Sequence, residues 1–152
     1  MPAPQTGRNG ILYYNSGTDA SPTWVEVTEV GDVSIGEQNL ETADFISRST
    51  DWLLKLASHF SAEVTLNLHH DTDETLFDAI LGFFTGKTAT IFAVADGAIA
   101  TAGTHYFKIP ALITAFSYEQ EANEAENHEL TLEPTYFLES GSLISPAWVQ
   151  TT

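Results

Sequence analysis

Hydrophobic and polar positions alternate most cleanly over FSAEVTLNLHH (60–70). Ala62, Val64, Leu66 and Leu68 fall on one side, and Glu63, Thr65, Asn67 and His69 on the other. A period of two belongs to a strand with one buried and one wet face. TWVEVTEV (23–30) has the same period, with Val25 and Val27 opposite Trp24, Glu26 and Thr28; Gly31-Asp32 breaks it before VSIG. ILYYN (11–15) reads as a short strand ended by the turn-forming SGTDASP. TATIFAVAD (88–96), THYFKIPALITAFSYE (104–119) and HELTLEPTYFL (128–138) predict three more strands. In the last of these, Glu129, Thr131 and Glu133 oppose Leu130 and Leu132. The period changes once, in DTDETLFDAILGFFTG (71–86), where Leu76, Phe77, Ile80, Leu81 and Phe84 follow helical spacing. Asp71 or Thr72 can cap that helix, Asp73 and Glu74 complement its dipole, and Gly86 is the expected stop.

Residues 37–58 (EQNLETADFISRSTDWLLKLAS) show no clean period and read as a long extended excursion. A loop of that length inside a compact domain is uncommon and is usually functional. Residues 1–10 are rich in proline and glycine, so 1–16 reads as an N-terminal arm followed by the first short strand. Residues 139–152 read as a C-terminal extension, and neither a repeat nor a low-complexity linker interrupts the chain. The expected fold is a single domain over 1–152, mainly β. It is a β-sandwich or barrel with one flanking α-helix and a long extended loop.

Charge narrows what such a domain can do. Asp and Glu number 21 against five Lys and Arg, a net charge of −16 in a chain that is 43% hydrophobic. The apolar content is enough to fold, and the sign argues against gripping phosphates or anionic membranes. EQEANEAENHEL (119–130) holds five glutamates and no cation, and no Lys or Arg follows Lys108. With no cysteine, disulfides, thiolate metal sites and cysteine nucleophiles are excluded. The N-terminus lacks a basic region followed by an apolar run, and no stretch is long and apolar enough to span a bilayer. A soluble protein without a cleaved signal is the expectation.

The chemistry-bearing motifs are weak. GKT at 86–88 closes a helix instead of opening one, and position 81 is leucine where a phosphate loop needs glycine. His69, His70, Asp71, Asp73 and Glu74 cluster, but at a strand-to-helix junction where carboxylates serve as caps. They also lack calcium-loop spacing, which leaves metal binding there open. Serine, histidine and aspartate occur without a nucleophile elbow, so no enzyme and no cofactor is expected. Trp24, Trp52 and Trp148 sit beside turns or in irregular stretches, where packing between subunits is a second option to core. The polar strand faces, Glu26/Thr28, Glu63/Thr65/Asn67 and Glu129/Thr131/Glu133, would suit a wet, negatively charged wall.

From about residue 17 to 134, the order of elements resembles the major tail (tail tube) proteins of long-tailed bacteriophages. The resemblance lies in TWVEVTEVGDVSI, the acidic excursion ETADFISRSTDW, the strand-to-helix piece AEVTLNLHHDTDETLFDAILGFF, and FKIPALITAFSYEQEANEAENHELTLEP as paired closing strands. Family members often carry a Val-Asp-Thr-like stretch where this chain has ADFISRS, and the ending TYFLESGSLISPAWVQTT is longer than in the simplest members. The resemblance implies hexameric rings that stack into a tube in the virion tail, assembled in the host cytoplasm. The excursion would reach the neighbouring ring, with Asp44, Arg48, Asp51 and Trp52 at subunit contacts. Glu26, Thr28, Glu63, Thr65, Asn67, Glu129, Thr131 and Glu133 would line a lumen through which DNA passes without tight binding. A tape-measure protein and tail terminator and tip proteins would be further partners, with no membrane involved. Two other readings share parts of the pattern: the tube of a contractile injection or type VI secretion system, and an acidic, salt-adapted β-sandwich binding module.

Overall fold

A computed structural model describes residues 10–152 except Glu29, Ser47, Thr50, Asp51, 70–73 and 118–126, and apart from the side chains of Asp32, Glu74 and Asn127. The elements run β1 (Ile11–Asn15), β2 (Trp24–Glu26), β3 (Val30–Ile35), β4 (Asn39–Ile46), β5 (Leu53–Ser61), β6 (Val64–His69), α1 (Glu74–Thr85), β7 (Thr90–Ala95), β8 (His105–Phe116), β9 (Asn127–Pro134), β10 (Leu138–Glu139), β11 (Ser142–Leu143) and β12 (Ala147–Gln150). Seven of the strands form an antiparallel sheet in the order β2-β1-β7-β8-β9-β6-β3, and β12 adds to β8 below β9. The fold is mainly β with one flanking helix.

The sheet must curl. Its two edge strands, β2 and β3, are joined by residues 27–29 alone. Four peptide steps reach at most about 14 Å, whereas six strand spacings laid flat would hold the edges about 29 Å apart. The edges therefore converge, and Val27 is buried where the chain crosses from one to the other. The alternation expected over 23–30 consequently stops at Glu26, and Thr28 lies in a turn.

The inner face of the curl holds the core. Val64, Leu66 and Leu68 of β6 meet Leu130 and Leu132 of β9, Ile113 and Ile109 of β8, Phe92 of β7 and Leu12 of β1. Helix α1 closes this side with Ile80, Phe77, Phe83 and Phe84. The Phe84 ring stacks on Phe116 at 5.5 Å, and Phe77 meets the same ring edge-on at 6.2 Å. The described part of the helix ends at Thr85, and the expected caps Asp71 and Thr72 fall outside the described residues. Its end differs from expectation. Lys87, not Gly86, takes the left-handed conformation (φ 53°). The Lys87 and Thr88 N–H groups bond back to Phe84 and Phe83 carbonyls, the paired bonds of a Schellman stop.

Within the stretch 37–58, Asn39–Ile46 and the residues from Leu53 onward are extended and paired. Strands β4 and β5 form a hairpin of their own, from Asn39↔Ser61 to Ile46↔Leu53, with a register shift after Leu40. Every residue of both strands is exposed, so no burial asymmetry imposes an alternating pattern. The ending 139–152 is likewise more than an appendage. Ala147–Gln150 pairs with β8, and the Trp148 ring packs at 5.2 Å from Phe107.

Candidate functional site

Register places most of the predicted wall on one sheet surface. Opposite the core, Ser34, Thr65, Thr131 and Ala115 lie side by side across β3, β6, β9 and β8. Asn67 pairs with Glu129 on the same face, and Glu133 with Leu112. Glu129 and Glu133 are exposed, while Thr65, Asn67 and Thr131 are half-buried among their neighbours. Glu63 stands exposed at the head of β6, where its carbonyl accepts the Gly36 N–H at 2.7 Å. On this surface short hydroxyl and amide side chains separate the carboxylates. Glu129 and Glu133 lie about 13 Å apart along their strand, beyond the roughly 8 Å screening length at physiological salt.

Two predicted members stand away from that group. Glu26 shares the face by register, through Tyr13 and Ala93, but sits on β2 at the far edge. Between them, Ile99 of the 96–104 segment packs on Tyr13, Ala93 and Ala95 and covers that half of the sheet. Thr28 is outside any strand. Sequence reasoning missed Ser34, Leu112 and Ser117 as parts of the surface, since Val30–Ile35 contains a break and 104–119 has no strict alternation. Lys108 would put a cation on this side of β8. Its ammonium instead donates to Asp19 Oδ1 at 2.7 Å, with both side chains mostly buried. Both carboxylate oxygens of Glu139 accept the Asp19 N–H, at 2.9 and 2.7 Å.

The hairpin carries the predicted contact residues. Asp44 pairs across the strands with Lys55, Nζ to Oδ1 at 3.1 Å, so part of its charge is met within its own hairpin. Arg48 and Trp52 are exposed near the connection, and Asp51 lies outside the described residues. Ala43/Leu56 and Phe45/Leu54 share one side of the hairpin and Thr42/Ala57, Asp44/Lys55 and Ile46/Leu53 the other, so exposed apolar residues stand on both sides. An isolated two-stranded hairpin is marginal in water, and an exposed apolar side calls for a partner surface.

Of the possible metal cluster, His69 ends β6 exposed, whereas His70, Asp71 and Asp73 lie outside the described residues, as does the Glu74 side chain. No group of three or more His, Asp or Glu placed to hold a metal occurs among the described residues. No described helix is long and apolar enough to cross a membrane.

Comparison with known proteins sets this arrangement in context. No protein-family model and no curated protein matches the chain. Solved structures do match, and over nearly its whole length. The tail of an empty gene transfer agent particle, refined with C6 symmetry, aligns over 98% of this chain and 100% of its own, at 19% identity and a TM-score of 0.66. The SPP1 tail tube aligns over 97% of this chain and 80% of its own, at 12% identity and a TM-score of 0.68. The fold is that of a tail tube protein. The same tail-tube fold extends to an extracellular contractile injection system, whose PVC sheath-tube complex matches over 97% of this chain at 12% identity and a TM-score of 0.63. Among the described residues, the open polar surface and the β4–β5 hairpin both lie outside the core of this fold.

Proposed function

We propose that this protein is a structural subunit of a phage-type tail tube, located in the virion tail and without catalytic activity. Six copies form a ring, rings stack, and the acidic surface of β3, β6 and β9 faces a channel that conducts the genome. The observation that carries this reading is the end-to-end match to a tail solved with C6 symmetry, with neither chain leaving a domain over. The polar surface supports it: Glu63, Glu129 and Glu133 repel phosphate, and Thr65, Asn67 and Thr131 offer only short neutral groups. The pairing of Lys108 with Asp19 supports it too, because an uncommitted cation on that face would hold a passing duplex. The β4–β5 hairpin is the contact to neighbouring subunits, with Arg48 and Trp52 in it, and Asp44 and Asp51 alongside. A tape-measure protein and terminator and tip proteins complete the set of partners.

A second reading, the tube of a contractile injection system, is favoured by the match to the sheath-tube complex. Neighbouring genes for a tape-measure protein and a terminase would select the phage-type tail. Sedimentation of the purified chain over a range of concentrations, with negative-stain microscopy, tests assembly itself. Rings or tubes are expected; a single monomer boundary at every concentration and salt would end both tube readings and leave the acidic binding module.

A further inference from the structure

Among the described residues, β4 and β5 pair only with each other, so the direction of the hairpin is set at its junction with the body. The chain leaves the sheet after β3 and returns into β6. Where the two ends pass, the Gly36 N–H donates to the Glu63 carbonyl at 2.7 Å. A Cβ on Gly36 would stand 3.1 Å from that carbonyl oxygen, so the ends close up because position 36 has no side chain. One bond at this neck holds the ends together without fixing the tilt of what lies beyond. Beside the neck, a groove of about 600 Å³ separates Gln38 and Phe60 at the hairpin base from Pro134, Pro146 and Trp148 on the body. That space leaves the base room to tilt. One hydrogen bond spans it: the Trp148 indole N–H donates to Gln38 Oε1 at 3.3 Å.

Trp148 is anchored on the body side. It stands opposite Phe107 in the β12–β8 pairing, and the two rings lie 5.2 Å apart. Phe107 is almost wholly buried, which fixes the base on which the indole rests. Three residues on, the Thr151 N–H donates to the Thr104 carbonyl and its hydroxyl to the Ile99 carbonyl, both at 2.8 Å. The indole is therefore an arm held at its root, and Gln38, one residue before β4, is what it holds. More than half of Trp148 stays exposed, so core packing is a small part of what it does. We propose that Trp148 is a positioning residue for assembly: through Gln38 it sets the direction in which the β4–β5 hairpin leaves its own subunit. The proposal rests on the tube reading above, in which this hairpin is the contact to neighbouring subunits. A contact element already held in its bound direction loses less freedom on association.

Gln38→Leu removes the acceptor, and Trp148→Phe keeps a ring beside Phe107 while removing the donor. Gln38→Glu keeps an oxygen for the indole N–H and is the conservative control. Both positions are exposed, so circular dichroism should be unchanged; if Trp148→Phe loses its fold, Gln38→Leu carries the test. Because the chain has no cysteine, spin labels on Ala57→Cys in the hairpin and Thr101→Cys in the body report a single distance. In dilute, unassembled subunits, the parent and Gln38→Glu should give one narrow distance distribution, and Gln38→Leu and Trp148→Phe a broad one. The concentration at which tubes appear should rise about two- to tenfold in each of the latter, the worth of one hydrogen bond. The two combined should raise it no further, since both remove the same contact. Distance distributions that do not respond would overturn the proposal whether or not tubes form. So would broadened distributions with tubes appearing at the parental concentration. A parent that forms no tubes at any concentration would overturn the tube reading, and the role in assembly with it; the distances would still decide whether Trp148 directs the hairpin.

Discussion

Lys87 is held in a left-handed conformation that a side chain makes costly, at the position where helices most often place glycine. The left-handed well costs a non-glycine residue about 1–2 kcal/mol, of which glycine's greater freedom in the unfolded chain returns about 0.5–1. Lys87→Gly should therefore stabilise the folded subunit by about 0.5–1 kcal/mol, a rise of about 1–4 °C in Tm. A drop in Tm on thermal unfolding would mean that the lysine side chain makes a contact worth more than the strain. The residue-scale misreading here has a simple cause: Gly86-Lys87 offers glycine one position before the left-handed residue, and composition alone cannot resolve the step. The acidic surface makes its own prediction. Glu63→Lys with Glu133→Lys should leave assembly intact, since both side chains are exposed and support no core contact. Attraction to phosphate repeated along a tube should then retard DNA passage, most at low salt. Delivery at the parental rate at low salt would remove these glutamates from the channel.

At the scale of elements, what was legible in the sequence follows burial. Strand β6 and helix α1 each bury one side, so Val64, Leu66 and Leu68, and Phe77, Ile80 and Phe84, carry the period of their element. Strands β4 and β5 bury neither side in the subunit, and their pairing left no periodic trace in ETADFISRSTDW. β12 was hidden for a different reason: AWVQ is four residues long and its partner β8 lies some forty residues earlier. The polar surface was mostly legible because alternation assigns a face, but Glu26 shows the limit. Alternation cannot say which strands are neighbours or that Ile99 covers the ground between. The hairpin yields the prediction at this scale. Arg48 is exposed near its end, and an Arg–carboxylate fork is the strong form of the pairing that an acidic neighbour in the proposed tube would offer it. Arg48→Glu should block tube growth while the subunit keeps its circular dichroism and Tm. Tubes of normal length from that variant would take Arg48 out of the contact.

For the molecule as a whole, the dominating fact is a charge of −16 on 152 residues with the cations concentrated before residue 109. A ring of six would carry roughly −96, and that repulsion has to be offset by apolar contacts and strand pairing. Assembly should therefore strengthen as salt rises from about 0.01 to 0.15 M, where the Debye length falls from about 30 to 8 Å. Light scattering against added salt would show it; tubes that dissolve over that range would mean that ion pairs, not apolar surfaces, hold the subunits together. The central claim is more specific than assembly, because it assigns a surface to the channel. A helical cryo-EM reconstruction of tubes grown from the purified chain tests it most directly. The account predicts sixfold rings with Thr65, Asn67, Glu129, Thr131 and Glu133 turned toward an open axial channel, α1 away from it, and β4–β5 hairpins seated on neighbouring subunits. Tubes with α1 lining the axis and the β6–β9 polar surface outside would contradict it.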